Sequence, residues 1–255
     1  MSIRKNEIPI LEYDDDPRAV IEPRHETLGI SLPKKAVFAF LCEAVDKYAE
    51  AHGAPVVAEF VSATKKFPVY LLDRNGQQIC LVQAPVGASA AAQVLDWLIG
   101  YGVREIVSGG SCGALTDLDE GVFLVPCKAL RDEGTSYHYL PPARFVETSE
   151  RVRRAIETVL TRHGLPYTEV VAWTTDGFFR ETKEKVEYRR REGCSVVEME
   201  CAALAACAKM RGAAWGELLF TADTLADADC YEERNWGIGA VPRALELCVE
   251  AAEQL

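Results

Sequence analysis

A formal net charge of −11 over 255 residues argues against a general binder of nucleic acids, which would carry a basic stripe. Apolar residues at 49% and charged ones at 26% describe an ordinary globular chain, long enough to bury about 70–75% of its unfolded surface. No apolar run approaches the roughly 20 residues of a membrane span, and residues 1–7 lack the apolar core of a signal peptide, so the expectation is a cytoplasmic protein without membrane partners.

Residues 1–34 are mixed in character, with Asp14-Asp15-Asp16 and prolines at 9, 17, 23 and 33, and they predict an extended N-terminal arm on the surface. The domain proper is expected over 35–255. Residues 36–41 are apolar on both faces, the pattern of a strand inside a parallel or mixed sheet. A helix is predicted over 43–52, stopped by His52-Gly53 with Pro55 beyond. Strands follow at 56–61 and 69–73, then a type I′ turn at Asn75-Gly76 and a returning strand at 79–83. Gly87 opens an alanine-rich helix over 88–99. Residues 104–107 form the next strand and lead into a glycine loop, Gly109-Gly110-Ser111-Cys112-Gly113, with another strand at 121–126. The polar, aromatic stretch 131–139 reads as a loop. A helix over 148–162 takes Thr148 or Ser149 as its cap and Gly164 as its stop. A strand at 169–173 leaves into a loop at 174–180, a charged surface helix covers 181–192, and Val196-Val197 end a short buried strand. The run from Cys201 to Lys209 is a tightly packed helix, 216–221 a strand running into Ala222-Asp223, and 237–253 the last helix. Strands alternating with helices, plus one hairpin, predict a single α/β domain with a mixed central sheet flanked by helices.

In such sheets ligands bind at the carboxyl ends of the strands, and three polar stretches follow strands directly. The glycine loop offers backbone N–H groups to an anion and Ser111 adds a hydroxyl, although a plain tight turn has the same composition. Glu198-Met199-Glu200 puts two carboxylates at the mouth of an apolar strand. They suit either a dipole-favourable helix start or an uncharged ligand with several hydroxyls. Asp223 is either a helix cap or, in a dry pocket, a carboxyl whose raised pKa makes it a general acid near neutral pH. The nine cysteines form no C-x-x-C pair and do not group with the four histidines, so free thiols and no metal site are expected.

The order of Gly110-Ser111-Cys112-Gly113-Ala114, then Glu198-Met199-Glu200, then Asp223 after an apolar strand resembles the nucleoside phosphorylase superfamily, of the purine nucleoside phosphorylase and uridine phosphorylase type, from residue 36 to the C-terminus. Arg131-Asp132-Glu133-Gly134-Thr135-Ser136 is similar to the uridine phosphorylase loop Arg-x-x-Gly-Ala-Ser, and Asp176-Gly177-Phe178 to its Asp-Thr-Phe segment. The resemblance implies a nucleoside phosphorylase-like fold. It also implies cleavage of the N-glycosidic bond of a purine-type nucleoside by phosphorolysis, giving free base and ribose 1-phosphate, with inorganic phosphate as co-substrate and no cofactor. By the same resemblance Glu200 grips the 2′- and 3′-hydroxyls, Met199 packs on the sugar and Glu198 supports that site. Phe178 stacks on the base beside Ala222, and Asp223 protonates a purine at N7, a role worth about 10²–10⁴-fold in rate. A homo-oligomer, dimer or hexamer, in which a partner completes the site, is implied as well.

The chain also departs from that pattern. Where phosphorylases of this family carry a Gly-Asp-x-x-Arg loop after the first strand, it reads Cys42-Glu43-Ala44-Val45-Asp46. Where they place an arginine three residues before the glycine-loop serine, it has Ser108. Lys65-Lys66 stand near the position of an arginine lent by a neighbouring subunit, and a lysine binds phosphate only as a point charge. Loss of these arginines resembles the nucleosidase branch, where water replaces phosphate and a glutamate near the first strand activates it. Glu43 is placed for that, or is simply a favourable helix start. The phosphate or water site thus comprises Gly110, Ser111, Ser108, Glu43 and Lys65, and the alternatives to phosphorolysis are a hydrolytic nucleosidase or a non-catalytic nucleoside-binding protein. The Gln-x-Arg pair with which uridine phosphorylases recognise uracil is replaced by Thr182 and Glu184, and Ala222 stands where purine enzymes commonly have serine. His138 and Tyr137 either reach the 5′ end of the ribose or face solvent.

Overall fold

The computed structural model describes residues 3–26 and 28–255. After the arm come β1 (Lys35–Ala39), α1 (Ala44–Ala51), β2 (Val56–Val61), β3 (Lys66–Arg74), β4 (Gln77–Gln83), α2 (Ala88–Gly100) and β5 (Glu105–Ala114). The second half holds β6 (Phe123–Asp132), the short α3 (Ser136–Tyr139), β7 (Phe145–Glu147), α4 (Glu150–Arg162), β8 (Tyr167–Thr175) and α5 (Lys183–Arg191). It ends with β9 (Cys194–Glu198), α6 (Cys201–Met210), β10 (Ala214–Thr224) and α7 (Val241–Glu253). Among the described residues no helix is long and apolar enough to cross a membrane.

The sheet is mixed. Strand order is β10-β6-β8-β9-β5-β1-β4-β3-β2, with β10 pairing β5 as well. Strands β5, β10, β6, β8 and β9 therefore close on one another, and β1, β4, β3 and β2 extend from β5 as a wing. The β1–β4, β1–β5, β5–β10, β6–β8 and β8–β9 pairs are parallel, whereas β2–β3, β3–β4, β5–β9 and β6–β10 are antiparallel. Asn75 and Gly76 both take positive φ (56° and 79°), the type I′ geometry that the Asn-Gly pair favours.

Helices cover both faces. Val94, Leu95 and Leu98 of α2 pack with Leu204 and Cys207 of α6 on one side, and Val152, Ile156, Leu245 and Val249 of α4 and α7 on the other. Eight of the ten residues of α6 are buried, and all but Leu204 of these are alanine or cysteine, so small side chains let the helix lie close to the sheet. All nine cysteines are free. Among described residues 3–34 the regular structure is one 3-10 turn, Pro9–Leu11. That segment is tied down by Leu32 N–H donating to Tyr101 O (2.8 Å), by Arg211 Nη1 donating to Pro17 O (2.8 Å) and by the Tyr101 hydroxyl donating to Glu26 O. Residues 1, 2 and 27 of the expected arm lie outside the described residues.

Several local expectations are corrected. The glycine stretch 109–113 is not a loop but the interior of β5. Its glycines serve close approach: a Cβ at Gly109 would sit 2.6 Å from Cys248 Sγ of α7. Arg131, Asp132, Thr174 and Thr175, expected in loops, extend the β6–β8 ladder in register. Their polarity is absorbed by partners, as where Trp173 Nε1 donates to Asp132 Oδ2 at 2.9 Å. Neither Thr148 nor Ser149 caps α4 through its side chain; the Thr148 hydroxyl donates instead to Pro126 O at 2.7 Å. The last helix begins at Val241, after a 3-10 turn over Ile238–Ala240, with proline in its first turn. Asp223 lies inside β10, next to a register irregularity between Thr221 and Thr224 against β5, the kind of bulge that re-aims a side chain.

Candidate active site

The carboxyl ends of β1, β4, β5 and β10 converge with β9 on one hollow. Phe40, Val86, Gly110, Ser111, Cys112, Gly113, Val197, Leu219 and Ala222 form its walls, and with Phe178, Met199, Glu200 and Trp236 they help enclose a cavity of about 170 Å3. Close packing shapes it. A Cβ on Gly113 would lie 3.0 Å from Val197 and 3.2 Å from Asp223 Oδ1, so glycine there leaves room for that carboxyl to fold over β5.

The two carboxylates around Met199 divide the readings that the sequence leaves open. Glu198 accepts the backbone N–H groups of Glu200 and Cys201, each at 2.6 Å, and the Thr174 hydroxyl at 2.5 Å. Thr174 Oγ1 accepts the Ala202 N–H at 3.0 Å, so Glu198 and Thr174 together satisfy the first turn of α6. Glu198 therefore performs the helix-start function while bordering the cavity. Glu200 turns into the hollow and accepts the Gly87 N–H at the start of α2. Met199 lies between them on the cavity wall.

Burial keeps this set of carboxyls protonated far above the ordinary range. Desolvation pushes Glu198 up to about 7 against the pull of its three donors, and Glu200 up to about 8 with the charge of Glu198 adding to the effect. A third member, Glu217 of β10, is 2% exposed, and its Oε2 has no hydrogen-bond partner. Burial and then the charges of Glu198 and Glu200 hold its pKa well above the carboxylate range. Sequence reasoning missed Glu217. Its signal was a lone carboxylate at an alternate position between Trp215 and Leu219, in a strand otherwise apolar through Phe220.

Asp223 and Glu181 form a second acidic pair on the opposite side. Burial raises the pKa of Asp223, with a hydrogen bond from the Tyr231 hydroxyl opposing the rise. Glu181 is pushed up to about 7 by burial and then by the charge of Asp223. Glu181 too was missed, because residues 181–192 read as one charged surface helix. The helix begins at Lys183 with Thr182 as its cap, Thr182 Oγ1 accepting Lys185 N–H at 3.4 Å, which leaves Glu181 free to face the cavity.

Among the described residues the cavity is lined by five carboxyl side chains and by no lysine, arginine or histidine. It brings together Gly110, Ser111, Phe178, Glu198, Met199, Glu200, Ala222 and Asp223. Three expected members of the phosphate or water site stand elsewhere. Ser108 is fully buried and its hydroxyl accepts Trp215 Nε1 at 2.8 Å. Glu43 points to solvent and pairs with Lys47 at 2.8 Å, four residues on along α1. Lys65 sits on the turn between β2 and β3, its Nζ 5.4 Å from the Phe67 ring centroid. Arg131 is a clamp rather than a ligand group, donating to Ser136 Oγ, Pro141 O and Leu140 O at 2.8, 2.7 and 3.1 Å. His138 borders a separate groove between the N-terminal segment and α2.

Comparison with known proteins agrees with this architecture. The family described as the phosphorylase superfamily matches residues 34–253. A guanosine phosphorylase of Halorubrum lacusprofundi is 26% identical over 161 residues, which is 61% of this chain and 65% of that protein, so the match spans just under two thirds of the relative's length. Among solved structures, an AMP nucleosidase of Bacteroides thetaiotaomicron superposes with a TM-score of 0.71 at 25% identity, covering 88% of this chain and 89% of the other. A uridine phosphorylase of Vibrio fischeri shares the fold at TM-score 0.77 and 20% identity, covering 89% and 95%.

Proposed function

The chain belongs to the phosphorylase superfamily, and from that membership and the chemistry of its cavity we propose that it hydrolyses the N-glycosidic bond of a purine-type ribonucleoside, with water in place of phosphate as the attacking group. One observation carries the choice of water. Glu217 of β10 is in register with Ser108 of β5, the position where the resemblance calls for a phosphate-binding arginine. A cation is thus replaced by a serine with a buried carboxyl beside it. Held protonated by burial, that carboxyl brings no positive charge to the corner, and the attraction forgone when one unit counter-charge is missing 4 Å from an anion is about 4 kcal/mol at an effective dielectric constant of 20, so this corner disfavours a phosphate dianion. Water needs no counter-charge, and the unpartnered Glu217 Oε2 offers it a hydrogen bond.

The steps follow from the placement of the groups. Glu200 binds the ribose hydroxyls and Met199 packs on the sugar. As the C1′–N bond breaks, positive charge develops on the ribose and the bonding pair leaves with the base. Glu198, whose pKa of about 7 leaves a fraction ionised near neutral pH, is the carboxylate of the cluster that stabilises that charge, and as the oxygen of the attacking water bonds to C1′ the water's proton passes to it. Asp223, its pKa raised by burial toward the acid form, delivers a proton to N7 of the departing purine while Phe178 stacks on the base. No cofactor is called for. Relatives named for guanosine and for AMP support a purine-type substrate.

The second reading is phosphorolysis, favoured by the name of the guanosine phosphorylase relative. It requires a homo-oligomer in which Lys65 or Lys66 of one subunit enters the cavity of another. Guanosine, inosine and adenosine incubated with and without phosphate separate the two. Free ribose formed at the same rate in both buffers is the expected result. Ribose 1-phosphate formed only when phosphate is present would overturn hydrolysis.

A further inference from the structure

The catalytic cavity does not end at the base. A second chamber of about 570 Å3 opens beyond it, and the two share Phe178, Glu181, Asp223 and Trp236 as a common wall. The inner chamber, at about 170 Å3, is smaller than the roughly 300–1,000 Å3 of ordinary small-molecule sites, so a nucleoside must occupy both. The chemistry of the two halves differs. Hydrogen-bonding carboxyls crowd the inner one, whereas Phe179, Val186, Leu225 and Tyr231 line the outer one, with Lys183, Asp227 and Glu233 also on its wall. Asp223 stands at the junction, so the bond that breaks lies there and the leaving group points outward.

The outer chamber is a constructed feature. Trp236 is held at φ 54°, a conformation that a bulky side chain rarely adopts. Its neighbours Asn235 and Gly237 both donate their N–H groups to Glu120 Oε1, at 3.0 and 2.8 Å. Gly237 presses so closely on the sheet that a Cβ there would lie 2.8 Å from the Phe220 ring. On the other side Lys183 pairs with Asp229 at 2.6 Å and Arg190 donates to Ala226 O at 3.0 Å, tying the segment after β10 to α5. Yet the aromatic groups around the chamber stay open: Phe179 is 92%, Tyr231 54% and Trp236 45% exposed. At about 30 Å3 per water, the chamber would take on the order of 19 waters, far more than a bare bicyclic base of nine ring atoms displaces.

We propose that the outer chamber is a leaving-group subsite and that the preferred substrates are ribonucleosides whose base carries a large aromatic or apolar substituent on the edge remote from the sugar. This rests on the nucleoside-cleaving reading above. The substituent replaces water against Phe179, Tyr231 and Trp236, and the base itself keeps its place on Phe178 beside Asp223.

The test pairs adenosine with N6-benzyladenosine, and free adenine with N6-benzyladenine. The benzyl compounds should show kcat/KM higher, and calorimetric Kd of the free base lower, by about tenfold or more, the effect of burying one aromatic ring. Phe179→Ala should bring both ratios back toward one. Equal or weaker binding of benzyladenine, or a benzyl advantage that Phe179→Ala leaves intact, would overturn the subsite. If adenosine is cleaved without a benzyl preference, the subsite falls and hydrolysis stands. If benzyladenine binds preferentially with no turnover of either nucleoside, the catalytic reading falls and the subsite stands.

Discussion

Raising the pH from 5 to 8 should destabilise the unliganded protein, and replacing one buried carboxyl should blunt the loss. In the unfolded chain Glu198, Glu200 and Glu217 titrate near 4.5, whereas in the native cavity they hold their protons to about 7, about 8 and well above the ordinary range. A group whose native pKa is raised contributes stability that is complete below its unfolded pKa and is lost as pH climbs through the native one. The slope is about 1.4 kcal/mol per pH unit for each retained proton. Between pH 5 and 7, one such proton therefore accounts for about 2.7 kcal/mol and two for about 5.4, against a total stability of about 5–15 kcal/mol for an ordinary domain. Carboxyls held low by cationic partners, such as Asp132 and Glu192, change charge below this window and do not mask the effect. Glu217→Gln removes one titrating proton. The variant should lose stability with pH less steeply, by about 1.4 kcal/mol per unit, and be the more stable protein at pH 8. Urea denaturation at half-unit pH steps, followed by tryptophan fluorescence, measures both slopes. Stability that is flat or rises from pH 5 to 8, or an unchanged slope in Glu217→Gln, would refute the protonated cluster.

Three further outcomes are expected. Asp223→Asn keeps the shape of the side chain but not its proton, so kcat on a purine nucleoside should fall by about 10²–10⁴-fold; full activity would reduce Asp223 to a structural role. In the wild type, kcat/KM should fall on the alkaline side if Asp223 is the proton donor proposed above, because its acid form is lost as pH passes its raised pKa. Thr174→Val withdraws the donor to Glu198 and the acceptor for Ala202 N–H, both buried, and should cost about 1–3 kcal/mol in chemical denaturation.

How much of this was legible in the sequence depends on whether the deciding contacts are local. The Asn75-Gly76 hairpin was readable because its turn geometry is set by those two residues alone. Glycines at 109–113 were equally conspicuous, but composition does not distinguish a turn from a strand under close packing. What decides is Cys248 on α7 and Asp223 on β10, brought against β5 by tertiary structure. The same holds for the candidate site. The motif residues Ser111, Glu198, Met199, Glu200 and Asp223 were legible as types and in order, and they do converge. Ser108 was legible as a missing cation. Glu217 was not, because its meaning comes from the non-local pairing of β10 with β5, which sets it beside Ser108. That pairing changes the argument about the nucleophile. A serine alone would leave an uncharged corner that a lysine from another subunit could fill. A buried carboxyl in register with it fills that corner without supplying a positive charge, which is the ground on which water is proposed as the nucleophile.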